Sequence, residues 1–248
     1  MLLVKDLMVF YENALALDSF NLELNTGEIR GVIGSNSSGK TTLMLALSGL
    51  LLDMKIKEQR RGGERISIFG EIIYEGQVIT GLKPAERVRR GIVLCRERHP
   101  VFQESDVLEN LKIAGSRRPR GGFKKSLELV FDLFPPLVSL RRRPAGFLSG
   151  GEQQMLIIGM ALSAAPKLLL LDEPLLGLPP FMQKRLMETI QRIRHELEIS
   201  VLVCEQYARP VLPVLDWAYV LENGMMTLAG PAERLMANPE VRSAYFGL

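Results

Sequence analysis

The sequence predicts an α/β fold with a mainly parallel core sheet and helices on both of its faces. Strand-like apolar segments alternate with segments of helical apolar spacing through most of the 248 residues. A glycine-bounded polar loop, GSNSSGKTT, separates one such strand from one such helix, and another strand, KLLLL, ends in two acids. Such polar segments at the carboxyl ends of parallel strands meet at one edge of a sheet, where α/β proteins bind ligands.

The N-terminal part of the chain departs from this alternation. Residues 2–10 and 15–24 are predicted to be two strands around the turn YENA, which favours a small antiparallel β-subdomain. Residues 53–65 follow the helix behind the polar loop; they are charged and contain Gly62 and Gly63, and we interpret them as a longer hairpin or flexible loop. The strand-like stretches ISIF and EIIYEG come next.

The rest of the chain is predicted to alternate helices and strands. We expect helices over PAERVRRG, DVLENLKIAG and KSLELVFDLF, and a buried strand over GIVLC. A long helix is expected from about residue 149, then the strand KLLLL, a helix over 179–197 and the strand ISVLVC. A helix near 208–215, a hairpin around 222–224 and a short C-terminal helix complete the prediction.

The composition is that of one soluble globular protein. With 47% hydrophobic and 24% charged residues, a chain of 27.7 kDa can bury a full core as one large α/β domain or as one domain with a small lobe, and we expect a single domain spanning 1–248. The net charge of +3 and the pI near 8.9 are too weakly basic to predict nucleic-acid binding. Cys95 and Cys204 each end a strand-like run, and we expect them to be reduced core residues.

No segment of the sequence is expected to enter a membrane. Lys5 and Asp6 interrupt the first apolar stretch, so no signal peptide is predicted. The longest apolar run, LMLALSGLLL, is too short to cross a bilayer. We therefore expect a soluble, cytosolic chain.

The polar loop matches the phosphate-binding pattern G-x-x-x-x-G-K-[ST] at Gly34, Gly39, Lys40 and Thr41. In such a loop the backbone curls around an anion, and the N–H groups that open the next helix point at the same place. Lys40 is expected to reach the β- and γ-phosphates of a nucleotide, and the Thr41 hydroxyl to ligate Mg²⁺. A chance match by a serine-rich turn is the alternative, which the flanking strand and helix disfavour. The predicted nucleotide-binding residues of the loop are Gly34, Ser35, Asn36, Ser37, Ser38, Gly39, Lys40, Thr41 and Thr42.

Asp172 and Glu173 directly follow the four leucines of KLLLLDEP, so they are predicted at the carboxyl end of a buried strand. Asp172 suits the coordination shell of Mg²⁺, and Glu173 suits a general base that orients water on the γ-phosphate. Without the other motifs, an equally good interpretation is that Asp172 and Glu173 are two surface acids that end a strand and have no catalytic role. Together with the phosphate-binding loop, the two acids predict a site that hydrolyses a nucleotide.

A third motif, LSGGEQQ at 148–154, precedes this strand. With it, the sequence resembles the nucleotide-binding subunits of ATP-binding-cassette (ABC) transporters, whose signature is LSGGQ-like. The resemblance implies that Ser149, Gly150 and Gly151 of one subunit close over the ATP that the loop of another subunit holds. Ser149 and Glu152 also fit an ordinary capping box, but a capping box leaves the double glycine unexplained.

The resemblance implies ATP and Mg²⁺ as cofactors. It implies a phosphate-loop core with the N-terminal β-subdomain and a helical signature subdomain, inserted over about 97–165. The implied partners are two transmembrane permease subunits and a second ABC ATPase subunit or a second copy of this chain, while a periplasmic or extracellular binding protein acts indirectly. The resemblance implies that the chain is a peripheral protein at the cytoplasmic face of the inner or plasma membrane. It implies no nucleic-acid partner.

The resemblance runs nearly end to end and narrows to one branch of the family. The stretches YENALAL, PKLLLLDEPLLGL, VCEQ and ANPEVRSAYFG are similar to the ATPases of branched-chain amino acid importers, in particular to the second of their two ATPase subunits. By this likeness, Tyr11 matches the aromatic residue that stacks on adenine. A turn aromatic that shields the edge of the sheet is the alternative for Tyr11.

Several positions depart from the general ABC pattern. Glu97 stands where most members have a glutamine in the loop that senses the permease, and Gln206 where most have a switch histidine. Both fit the importer branch, and we assign Glu97 to nucleotide binding and Gln206 to catalysis. Pro179 replaces a usual aspartate, and Ser35 and Ser37 are less usual in the phosphate-binding loop.

Three functions are open on the sequence alone. The best prediction is the ATP-hydrolysing motor of a membrane importer for branched-chain amino acids, although urea, short amides and aromatic acids stay open as cargo. A soluble cassette ATPase acting on DNA or ribosomes is disfavoured, because the chain lacks a long coiled-coil insertion and a tandem cassette. A regulatory module without turnover is disfavoured by Lys40, Asp172 and Glu173.

Overall fold

The computed structural model describes residues 1–63, 65–96, 101–116 and 122–246. The described strands are β1 (Leu2–Tyr11), β2 (Ala14–Leu24), β3 (Ile29–Ile33), β4 (Ile66–Tyr74), β5 (Gln77–Val78), β6 (Ile92–Cys95), β7 (Leu168–Asp172), β8 (Ser200–Glu205), β9 (Trp217–Glu222) and β10 (Met225–Pro231). The described helices are α1 (Lys40–Ser48), α2 (Leu50–Gln59), α3 (Pro84–Arg89), α4 (Val107–Ala114), α5 (Gly122–Leu133), α6 (Pro136–Ser139), α7 (Gly150–Ser163), α8 (Pro180–Leu197), α9 (Ala232–Ala237) and α10 (Pro239–Tyr245).

The centre of the fold is a six-stranded sheet in the order β10-β9-β3-β8-β7-β6. Neighbouring strands from β9 to β6 run parallel, and β10 pairs antiparallel with β9. Strands β3, β7 and β8 are buried at every position, as in a parallel sheet covered on both faces. Because β8 lies between β3 and β7, the carboxyl ends of these three strands meet at one edge. The predicted α/β class with a mainly parallel sheet is confirmed.

A second sheet is antiparallel and has the order β2-β1-β4-β5, which confirms the predicted N-terminal β-subdomain. The stretches ISIF and EIIY form one strand, β4, in which Gly70 adopts a φ of 89°, and Glu75 and Gly76 follow in a turn. Helix α1 joins this sheet to the central one: Leu43 and Met44 share a buried cluster with Phe20 of β2 and Leu170 of β7. The helix that follows the phosphate-binding loop is therefore a core element.

Helices α4 to α7 follow β6 and precede β7, within the range predicted for the helical subdomain. Leu111 of α4, Val130 of α5 and Leu156 of α7 belong to one buried cluster, which also contains Leu169 of β7. Whether these helices form a separate subdomain stays a prediction. Within the described ranges, no helix has both the length and the apolar character needed to cross a membrane.

The hairpin or flexible loop predicted for residues 53–65 is wrong over most of its length. Helix α2 begins directly after Gly49 and continues to Gln59. Leucine, methionine, lysine, glutamate and glutamine are good helix formers, and Asp53 forms a 2.8 Å ion pair with Lys57 one turn later. Local helix propensity outweighs the charge and glycine content of the segment.

The helix predicted near 208–215 is also wrong. The structure has only a short 3₁₀ turn there, at Leu212–Val214. Pro210 and Pro213 lack the backbone N–H that an α-helix would need at these positions.

A buried cation caps the carboxyl end of α1. The Arg87 side chain, 1% exposed, donates five hydrogen bonds of 2.7–3.0 Å to backbone carbonyls. The accepting carbonyls belong to Ala46, Leu47, Ile79, Thr80 and Leu82. Two of them lie in the last turn of α1, where the helix dipole favours a positive charge. Burial lowers the pKa of Arg87 to about 10, so the guanidinium keeps its charge at neutral pH.

We expect Arg87→Met to lower the free energy of unfolding by about 3 kcal/mol or more, because several buried carbonyls would lose their donor. Arg89→Met is the control, since Arg89 lies on the same helix but is exposed, and it should change stability by about 0.5 kcal/mol or less. Urea unfolding measures both. Equal, small losses in the two variants would contradict the structural role of Arg87.

Candidate active site

The phosphate-binding loop leaves the central sheet at the end of β3 and enters α1 at Lys40. Glycine is required at two positions of this loop, because neighbouring atoms leave no room for a Cβ. A Cβ on Gly34 would overlap the carbonyl oxygen of Leu221, and a Cβ on Gly39 would lie 2.6 Å from that of Ala16. Gly39 also has a φ of 111°, which L side chains rarely adopt.

The loop borders an open cavity of about 280 Å³. The lining residues are Ala16, Asn36, Ser37, Gly39, Lys40, Thr41, Thr42 and Glu173. Apart from Ala16, the sequence singled out each of them for nucleotide binding, metal binding or catalysis. Ser37 has a φ of 64°, a strained value for a residue other than glycine. Ser38 is buried and does not line the cavity.

The Lys40 ammonium is buried and has three oxygen neighbours. Nζ donates to the carbonyl of Gly34 at 2.8 Å and to that of Ser35 at 2.9 Å. It also lies 3.1 Å from Oε1 of Glu173. The loop carbonyls and the Glu173 carboxylate after β7 therefore share the positive charge of Lys40. An anion in the cavity would compete with them for this charge.

Thr41 and Asp172 meet at the same edge of the sheet. Asp172 ends β7 and is buried, and its Oδ1 lies 3.4 Å from Oγ1 of Thr41. A hydroxyl and a carboxylate are hard oxygen ligands, and Mg²⁺ typically takes few protein ligands and completes its octahedral shell with water and phosphate oxygens. The described residues contain no cluster of three or more His, Cys, Asp or Glu that could hold a metal by itself. The pair therefore fits Mg²⁺ held jointly with a nucleotide.

Glu173 is held in a strained backbone conformation. Its φ is 48°, in the left-handed region that residues other than glycine rarely occupy. Its N–H donates to the carbonyl of Cys204 at 2.9 Å, and its own carbonyl accepts from Leu176 N–H at 3.2 Å. Cys204 is a free, buried cysteine, as predicted, and so is Cys95.

Sequence reasoning missed Glu205, the last residue of β8. Its side chain is buried, and its Oε1 accepts a 2.8 Å hydrogen bond from Leu175 N–H. Burial, with the Glu173 carboxylate nearby, raises the pKa of Glu205 to about 8. The available signal was an acid at the end of an apolar strand, the same signal that identified Asp172.

Gln206 and Tyr11 are among the predicted residues that do not line the cavity. Gln206 follows β8 and is half-buried. Tyr11 ends β1, where it pairs with Ala14 and Ile66, and its half-buried side chain packs on the core beside the antiparallel sheet. The catalytic role of Gln206 and the adenine-stacking role of Tyr11 stay predictions. Glu97 lies outside the described residues.

The signature residues lie at the start of α7 and do not line the cavity either. Ser149 caps the helix in a capping box: its N–H donates to Oε2 of Glu152 at 2.7 Å, and its Oγ accepts from Glu152 N–H at 3.4 Å. That these residues close over a nucleotide held by another subunit stays a prediction.

The two signature glycines have different surroundings. A Cβ on Gly151 would overlap Cε of Met182, near the start of α8. A Cβ on Gly150 would meet no atom within 4 Å. Packing against the flexible end of Met182 therefore disfavours a side chain at Gly151 without excluding it, whereas the space around Gly150 is open to a second molecule.

Gly151→Ala should lower Tm only slightly, by less than the about 1–3 kcal/mol of an overpacked rigid core, because the flexible end of the Met182 side chain can shift. Gly150→Ala should leave Tm unchanged or slightly higher, and adding Met182→Ala to Gly151→Ala should recover part of the loss. Thermal unfolding of the four proteins measures these effects. If Gly150→Ala and Gly151→Ala had the same Tm, the packing explanation for Gly151 would be wrong.

Comparison with known proteins places these motifs in one family. The model of a family described as ABC transporter matches residues 17–176. BraG of Pseudomonas aeruginosa, a high-affinity branched-chain amino acid transport ATP-binding protein, is 38% identical over 238 residues, which cover 96% of each chain. LivF of Archaeoglobus fulgidus, described as a "probable branched-chain amino acid transport ATP-binding protein", is 30% identical over 96% of this chain and 95% of the relative.

A solved structure agrees with the sequence relatives. The ADP conformation of MJ1267, an ATP-binding cassette of an ABC transporter, matches with a TM-score of 0.84 at 26% identity, covering 100% of this chain and 99% of that chain. The family match contains the phosphate-binding loop, the signature and both acids. The chain therefore belongs to the ABC transporter family, as an ATP-hydrolysing cassette that pairs with a second cassette and serves permease partners at a membrane.

Proposed function

We propose that this chain is the ATP-hydrolysing motor subunit of an importer for branched-chain amino acids. The main support for the proposal is that the side chains of four predicted residues meet at one edge of the central sheet. Lys40 contacts Glu173, and Thr41 lies next to Asp172. The cargo is supported by BraG and LivF, both described as branched-chain amino acid transport ATP-binding proteins. Urea, short amides and aromatic acids are the competing cargoes, which a transport measurement distinguishes.

The proposed nucleotide site uses the loop and the start of α1. The backbone N–H groups from Gly34 to Thr42 surround the phosphates, and the N-terminus of α1 adds its favourable dipole. Lys40 exchanges its contact with Glu173 for phosphate oxygens. Tyr11 stacks on the adenine, and such stacking contributes about 1–3 kcal/mol in nucleic-acid analogues.

In the proposed hydrolysis, the Glu173 carboxylate activates the attacking water. Once a phosphate oxygen binds Lys40, the Glu173 carboxylate is available to accept a proton from a water aimed at the γ-phosphate. Thr41 and Asp172 hold Mg²⁺, which neutralises charge on the phosphates when bound. Gln206 donates an amide N–H to a phosphate oxygen, but it cannot ionise or carry a proton.

The second half of each ATP site comes from a paired cassette. Ser149, Gly150 and Gly151 supply a helix N-terminus and a hydroxyl to the nucleotide of the partner, and the open space at Gly150 supports this role. Because Gln206 replaces a titratable histidine, we favour a heterodimer with a second ABC ATPase subunit over a pair of identical chains.

The permease is proposed to dock beside α4. Asn110 of this helix is fully buried, and its side chain bonds both the N–H and the carbonyl of Phe102. The side chains of Phe102 and Ile113 are 51% and 46% exposed, so apolar area is available to a partner here. From its position in the sequence, Glu97 is proposed to be part of the same surface. The complex contains two permease subunits at the cytoplasmic face of the inner or plasma membrane, and a binding protein outside delivers the cargo.

Glu173→Gln should slow ATP hydrolysis by about a hundredfold or more, because the amide cannot accept the proton of the attacking water. The affinity for ATP should change little. Lys40→Ala should instead weaken ATP binding, because its charge contacts the phosphates directly. Hydrolysis is measured by phosphate release, and binding by a fluorescent ATP analogue with Mg²⁺.

The control is Glu188→Gln, which changes an exposed acid on α8. In cells that lack the chromosomal copy, wild type and Glu188→Gln should restore uptake of labelled leucine, and Glu173→Gln should not. Full turnover by Glu173→Gln would refute the general-base role. Restored uptake of urea, an amide or an aromatic acid without leucine would refute the proposed cargo.

A further inference from the structure

We propose that Glu205 is a positioning residue for Glu173: its buried carboxyl group anchors the loop that follows the proposed general base. The inference rests on the proposed function, because it takes Glu173 as the group that activates water. It assigns a role to a side chain that does not line the nucleotide cavity.

The last two residues of β8 hold the loops on both sides of this strand. The carbonyl of Glu205 accepts a 3.2 Å hydrogen bond from Gly34 N–H, where the phosphate-binding loop begins. The carbonyl of Cys204 accepts from Glu173 N–H on the other side. The end of β8 is therefore the common support of the phosphate-binding loop and of the proposed general base.

The Glu205 side chain adds a support that no backbone group supplies. Its Oε1 accepts from Leu175 N–H at 2.8 Å, two residues after Glu173. Glu205 is 4% exposed and Leu175 3% exposed, so water has little access to replace this acceptor. A buried N–H without an acceptor is costly, and the loop would move to satisfy it.

The conformation of Glu173 shows why such a support matters. A strained φ of 48° persists only when the surroundings fix the backbone on both sides. Cys204 fixes the residue at its own N–H, and Glu205 fixes the chain two residues later. Without the second support, the backbone at Glu173 can relax, and its carboxylate leaves the place where it lies 3.1 Å from Lys40 Nζ.

The test compares Glu205→Ala with Glu205→Gln in the full-length chain. Alanine removes the acceptor for Leu175 N–H, whereas the glutamine carbonyl keeps an acceptor at the same place. We expect Glu205→Ala to lower the single-turnover rate of ATP hydrolysis by about 10- to 100-fold, the loss typical of a displaced catalytic group. Its Kd for ATP should stay within about threefold of wild type, and Glu205→Gln should keep both values within about threefold.

Ser200→Ala is the matched control for lost stability. Ser200 is fully buried at the other end of β8, and its Oγ accepts a 2.8 Å hydrogen bond from Gly27 N–H. This variant also removes a buried side-chain acceptor for a backbone N–H, but far along the strand from Glu173. It should lower Tm and leave the hydrolysis rate per folded molecule unchanged.

Three results would overturn the inference: a wild-type rate in Glu205→Ala, an equal loss of rate in Glu205→Gln, or a loss of rate in Ser200→Ala that matches Glu205→Ala at equal loss of Tm. Glu173→Gln belongs to the same series. If Glu173→Gln is inactive while Glu205→Ala is fully active, only the inference about Glu205 fails. If Glu173→Gln keeps its turnover, the general-base role fails, and this inference fails with it.

Discussion

The hydrogen bonds at the end of β8 hold together segments that are far apart in the chain. This strand lies between β3 and β7, and its last two carbonyls accept from Gly34 N–H on one side and Glu173 N–H on the other. Thr41 and Asp172 are 131 residues apart in sequence, yet their side chains are 3.4 Å apart. Their meeting depends on the parallel strand order, because that order brings the carboxyl ends of the three strands to one edge.

The nucleotide site is built on an element that is fixed at both ends. At its start, α1 continues a loop whose two glycines fit against neighbouring carbonyls; at its end, Arg87 binds the last carbonyls of the helix. Between these ends, its apolar side chains lie in the core shared by the two sheets. The Lys40 ammonium and the helix dipole are therefore oriented before any anion arrives, which is the arrangement that favours phosphate binding.

The sequence predicted the parts of this site that local chemistry determines. Lys40 and Thr41 follow from the spacing of one short motif, and Asp172 and Glu173 from an acid pair after a buried strand. The fold class follows from the alternation of strands and helices.

Contacts between segments that are distant in the chain could not be predicted from the sequence. The anchoring of Leu175 by Glu205, the contact of Gly151 with Met182 and the capping of α1 by Arg87 each join elements whose proximity no single segment encodes. The error at 53–65 has the opposite origin, since charge and glycine content suggested a loop where helix propensity prevailed.

A crystal structure of the wild-type chain with Mg²⁺ and a non-hydrolysable ATP analogue tests the proposed nucleotide site directly. We expect Lys40 Nζ to leave Glu173 for the β- and γ-phosphates, and Thr41 and Asp172 to lie around the metal. The hydrogen bond from Leu175 N–H to Glu205 should be unchanged. A nucleotide bound away from the loop, with Lys40 still on Glu173, would contradict the proposed nucleotide site.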